Sequence, residues 1–214
     1  MSEARVPLRA PPGPDEAKVL PVPPSFEPEQ QLSTAQWGMA AFLLSEVAFF
    51  STLIVTYLAL IGRDRIGPTP AKALSLSLVI GTTAVLLSSS GTVHVAERAL
   101  RLGSRRAFLL WWAVTIGLGV AFLVGTGFEW RELITRHRLT ISRNLFGTGY
   151  YTVVGFHALH VTAGVVAMLA VFGLALRRRV TAEHRTAPEL VAWYWHFVDA
   201  VWVVVFTVIY VVCR

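Results

Sequence analysis

Five apolar runs constrain this chain more than anything else in it: Trp37–Ile61, Ala73–Ala96, Ala107–Phe128, Gly147–Leu176 and Trp193–Val212. Each is long enough to cross a bilayer, which takes roughly 20 mostly apolar residues in helical form. Barrel strands are about ten residues long and alternate in polarity, so these runs predict helices. Composition agrees, with 54% hydrophobic and only 15% charged residues among 214 and a mean hydropathy of +0.57. A soluble domain of this size needs more polar surface than that. The expected fold is an all-α, polytopic bundle of five transmembrane helices over residues 37–214.

Residues 1–36 differ in kind. Eight of the chain's eleven prolines fall there. Proline lacks an amide donor and breaks helices, so an extended or disordered tail is expected. The tail has no basic segment leading into a short apolar core and a small-residue cleavage site, so the first span is read as its own insertion signal. Cys213 is the single cysteine, which excludes an intrachain disulfide and a cysteine-rich metal or iron–sulfur site.

Lys and Arg in the loops set the expected orientation. With the N-terminus cytoplasmic, eleven lie inside, among them Arg98, Arg101, Arg105, Arg106 and Arg177–Arg179, and eight lie outside. The bias favours N-terminus inside and C-terminus outside. The net charge of +6 therefore reads as topology and lipid attraction. No basic domain stands outside the membrane to bind nucleic acid.

Chemistry has to come from ionisable residues at membrane depth, where each costs a few kcal/mol or more unless it faces protein or water. The candidates are Glu46, His94, Glu97, Glu129, His157, His160, His196 and Asp199. Glu46 lies roughly 10 residues into its span, or about 15 Å at the helical rise, which is near mid-membrane. His157 and His160 reach a similar depth. His157 and His160 are three apart, as are His196 and Asp199, so each pair is expected to share a helix face. Burial disfavours a lone charged carboxylate, so Glu46 is expected to hydrogen-bond one of the fourth-span histidines, His160 before His157. His196 and Asp199 are expected to bond each other or an adjacent helix. The alternative for all of them is plain interhelical bonding that holds a bundle together.

The mid-depth histidines have no histidine opposite, so no haem is expected in this chain. Glu46 alone is no basis for a dinuclear metal cluster. A transporter would show repeats and Gly- or Pro-broken spans, whereas these five spans contain no proline. Gly117, Gly119, Gly125, Gly127, Gly155 and Gly164 read as close helix-packing positions.

Three stretches, LLSEVAFFSTLIVTYLAL, GYYTVVGFHALHVTAGVVAML and AWYWHFVDAVWVVVFTVIYVV, closely resemble subunit III of haem–copper cytochrome c oxidases. The resemblance runs from about Trp37 to Val212. Mitochondrial members have seven spans; this chain lacks the first two and looks like the short five-span bacterial form. The resemblance implies a multi-pass protein of the bacterial plasma membrane with no catalytic residues, haem or copper of its own. It would pack directly on subunit I, with subunit II and other respiratory chains beside it and the redox groups in those partners. It would also hold phospholipid, support proton uptake and protect the catalytic core, in a complex passing electrons from cytochrome c to dioxygen. Residue by residue, it makes Glu46 the buried carboxylate of the Ser-Glu motif. His157, His160, His196 and Asp199 match the family's buried polar positions, and Arg177 and His184 its lipid-headgroup positions. Alternatives are subunit III of a quinol oxidase, an accessory subunit of nitric oxide reductase, or a free-standing transporter or lipid-binding scaffold.

Overall fold

The computed structural model describes residues 33–60, 63, 76–136, 138–141, 145–180 and 185–212. The proline-rich segment up to residue 32, His184 and Cys213 lie outside them. Five long helices carry the described chain: α1 (Thr34–Leu60), α2 (Leu76–Arg101), α3 (Arg105–Arg136), α4 (Leu145–Leu176) and α5 (Thr186–Phe206). A six-residue π-helical turn, Thr207–Val212, continues α5. All five are long and apolar enough to cross a membrane.

The helices outrun the apolar runs. α3 continues two turns beyond Phe128, which brings Glu129 and Trp130 into the helix. α5 starts seven residues before Trp193 and carries Pro188 in its first turn, where a missing N–H has no intrahelical acceptor to lose. A hydropathy run marks where lipid is, whereas the hydrogen-bond ladder stops only where the backbone must turn.

Helices α2 to α5 close into a ring, with contacts α2–α3, α3–α4, α4–α5 and α5–α2, and α1 packs outside against α4 and α5. Helix α1 accordingly buries only Phe50 and Tyr57. At the centre the Trp195 indole fills a notch between two helices. A Cβ on Gly119 would stand 2.6 Å from its Cη2, and one on Gly164 would stand 2.8 Å from its Cε3. Gly125 lets Thr82 approach in the same way, whereas Gly117 and Gly127 have nothing within 4 Å and Gly155 makes only an ordinary contact. Within this chain, three of the six glycines expected at packing positions make such close approaches, since periodicity does not say which face of α3 or α4 meets its own bundle.

Polar bonds pin the ring. Trp112 Nε1 donates to the Met168 carbonyl at 2.9 Å, and Arg105 donates to the carbonyls of Ala175 and Leu176 at 3.0–3.2 Å. The Ala175 carbonyl also accepts the Arg178 N–H at 3.1 Å, and a cation at this C-terminal end complements the helix dipole.

Candidate functional site

Glu46 points from α1 toward α4, where its Oε2 lies 3.0 Å from His160 Nε2. The other ring nitrogen, Nδ1, is 2.7 Å from the Phe156 carbonyl oxygen. A carbonyl only accepts, so Nδ1 carries a hydrogen. Nε2 then either accepts from a protonated Glu46 or, in an imidazolium, donates to a carboxylate. Both descriptions contain one proton shared between the two side chains. The pair is net neutral in either, which is the form that low-dielectric surroundings tolerate. Phe50 meets the imidazole edge-on at 4.9 Å, and Tyr194 of α5 donates to the His160 carbonyl at 3.0 Å. One bond set therefore ties α1, α4 and α5 together. The pair keeps 18% (Glu46) and 15% (His160) of its side-chain surface, so it sits at the bundle's edge and not in its centre.

His157 takes another path. Three residues along a helix is a 60° offset, enough to aim the two rings at different neighbours, which corrects the expected shared face. His157 is fully buried in the ring of helices. It lies 4.8 Å from the Trp202 ring and is met edge-on by Phe122 at 5.8 Å. Neither ring nitrogen has a hydrogen-bond partner among the described residues.

His196 and Asp199 meet through a third residue. Ser90 of α2 contacts Asp199 Oδ2 and lies 3.1 Å from His196 Nδ1. Asp199 is 3% exposed, and its Oδ1 is buried with no partner among the described residues. The adjacent helix, not the neighbouring turn, thus satisfies this pair. Arg177 is exposed just past the end of α4.

A family model described as cytochrome c oxidase subunit III matches residues 30–213. The chain belongs to that family. A probable cytochrome c oxidase subunit 3 of Mycobacterium leprae is 37% identical over 179 residues, which cover 81% of this chain and 85% of the relative. Cytochrome c oxidase subunit 3 of Corynebacterium diphtheriae is 36% identical, over 81% of this chain and 85% of its own. The cytochrome bo(3) ubiquinol oxidase subunit 3 of Pseudomonas aeruginosa is 33% identical, over 81% and 83% respectively. Kinship and five spans together make this a multi-pass plasma-membrane protein of bacterial type, a subunit III within an oxidoreductase complex.

This subunit III also holds a polar cluster that spacing along the sequence does not reveal. Tyr210 donates to both oxygens of Glu129 at 3.0 and 3.2 Å. Tyr210 has one hydrogen, so the 3.1 Å contact between the two phenols makes Tyr150 the donor. Three helices thus supply a file Tyr150 → Tyr210 → Glu129. Tyr210 lies in the π-helical turn that continues α5, where it and Ile209 are both buried. Glu129 alone read as an end-of-span carboxylate. Its partners lie 21 and 81 residues away in the chain, and no sequence period connects them.

Proposed function

We propose that the chain is the non-redox subunit III of a proton-pumping terminal oxidase that passes electrons from cytochrome c to dioxygen. In this role it braces catalytic subunit I, holds lipid and supports proton uptake, with its N-terminus cytoplasmic. The observation that carries the reading is the Glu46–His160 bridge, a neutral, proton-sharing contact placed in the family's Ser-Glu motif at the seam of α1, α4 and α5. Such a bridge fixes helix geometry without importing net charge into the membrane. Lipid is accommodated by an apolar groove of about 230 Å³ between α1 and α5, lined by Val47, Phe50, Ile54, Phe197 and Val201. The exposed Arg177 at the membrane face suits a headgroup phosphate.

The test is purification of the tagged chain in mild detergent from cells that make it. Haem and copper should co-purify in larger partner chains, the complex should oxidise reduced cytochrome c, and activity should decay with turnover number when this subunit is stripped off. Quinol oxidation without cytochrome c oxidation would favour the second reading, a quinol oxidase subunit, which the Pseudomonas relative supports. A colourless, stably folded chain with no partners would refute both.

A further inference from the structure

Helices α2 and α5 assemble a carboxyl, a hydroxyl and an imidazole in one hydrogen-bonded file. We propose that this file exchanges protons between water at the arginine-rich membrane face and Asp199, which stores them. Ser90 has a single hydrogen and two neighbours, Asp199 Oδ2 and His196 Nδ1, so the file has two polarities. In one, the Asp199 carboxyl O–H donates to Ser90 Oγ and the serine O–H donates to Nδ1, with the imidazole hydrogen on Nε2. In the other, Nδ1–H donates to Ser90 and the serine O–H donates to the Asp199 carboxylate.

Passing between them balances. The Asp199 O–H bond breaks as a new O–H bond forms on Ser90. The old serine O–H bond breaks as an N–H bond forms on Nδ1. The products are a carboxylate, an unchanged serine and an imidazolium, and the imidazolium then releases its Nε2 proton to water. One proton has left Asp199, and the reverse sequence reloads it. A carboxylate that served only as a fixed strut at this depth would have both oxygens satisfied; here Oδ1 is buried with no partner among the described residues.

The route to water is short. Ser90 lies eleven residues from Arg101 along α2, roughly 16 Å at the helical rise. His94 is one turn nearer the surface and exposed, close enough to His196 for their charges to interact. Glu97 comes next, within electrostatic reach of His94, Arg101 and Glu189. From α5, Glu189 is paired with Arg185 at 2.8 Å. Helix α3 meets α2 here through Thr115, which bonds Thr92 at 2.8 Å. Beside His196 the α2–α5 seam is closed by Trp195 Nε1 on Ser89 Oγ at 2.8 Å, and one turn deeper than Asp199 by Trp202 Nε1 on Thr83 Oγ1 at 3.0 Å. Indole nitrogens only donate and pass no proton on. Among the described residues the file therefore ends at Asp199, as a store and not a conduit.

Infrared spectroscopy of the purified complex tests this. A carboxyl C=O band that disappears in Asp199→Asn identifies the group, and transfer to D2O times its exchange. The band should exchange promptly in the unmodified complex, about tenfold or more slowly in Ser90→Ala and in His196→Gln, and promptly again in Ser90→Thr, which keeps the hydroxyl. Protons translocated per electron should be unchanged in Asp199→Asn, because nothing leads onward. The absence of an Asp199-dependent band, or exchange in Ser90→Ala at the unmodified rate, overturns the proposal. The haem spectrum reports assembly separately, so such a failure leaves the subunit III reading standing.

Discussion

Two glycines on opposite faces of α3, two residues and about 200° apart, should respond oppositely to the same substitution. A Cβ at Gly119 would stand 2.6 and 3.1 Å from Trp195 Cη2 and Cζ2, and 3.1 Å from Val165 Cγ2; at Gly117 it would meet nothing within 4 Å. Trp195 cannot step aside. It is fully buried, its Nε1 is held on Ser89 Oγ at 2.8 Å, and Gly164 on α4 packs so close to its other edge that a Cβ there would stand only 2.8 Å from Cε3. Overpacking of this kind costs about 1–3 kcal/mol, and a wedge fixed on both sides belongs at the upper end. Exchanging a helical glycine for alanine returns roughly 0.5–1 kcal/mol of backbone entropy. Gly119→Ala should therefore lose about 1–2 kcal/mol net, while Gly117→Ala is neutral or gains up to about 1. Denaturant titration of the purified chain in detergent micelles, followed by tryptophan fluorescence, reads both. Equal midpoints for the two variants would mean that the Trp195 notch does not constrain the bundle.

Glu46 keeps more side-chain exposure than the enclosed Glu129 and Asp199, which are 5% and 3% exposed. An apolar carbodiimide entering from lipid should therefore label Glu46 first, with labelling lost in Glu46→Gln while assembly survives; equal mass-spectrometric labelling of Glu129 contradicts this. His157 offers two buried nitrogens that find no partner among the described residues, so His157→Leu should leave unfolding stability unchanged or raise it, by up to about 2 kcal/mol. A loss of similar size would reveal a bound group that the imidazole satisfies. In the Glu129 file, Tyr210→Phe removes the donor that bonds both carboxylate oxygens and should cost about 1–3 kcal/mol, whereas Tyr150→Phe removes the outer donor and should cost about 1 or less. Equal losses would mean that the file does not run in that direction.

How far the sequence reaches can be judged residue by residue. Run length and polarity sufficed for five helices in a membrane, because lipid forces each spanning segment to satisfy its own backbone. Depth along two spans was enough to bring Glu46 and His160 together, since an ionisable group at a given level finds partners only at that level. The same reasoning could not separate His157 from His160, because a 60° rotation on α4 exchanges the α1 seam for the centre of the ring. It could not supply Ser90, one hydroxyl among several on α2, as the link between His196 and Asp199. Nor could it foresee that Glu129 would be held by tyrosines from α4 and from the π turn after α5.

Sequence by itself therefore determined which segments cross the membrane and which polar residues had to be paid for there. Only the tertiary structure decided the partners. Lipid imposes a one-dimensional demand along each helix, whereas pairing depends on the rotation and packing of each helix against the others, and close fits such as Trp195 between Gly119 and Gly164 set those rotations.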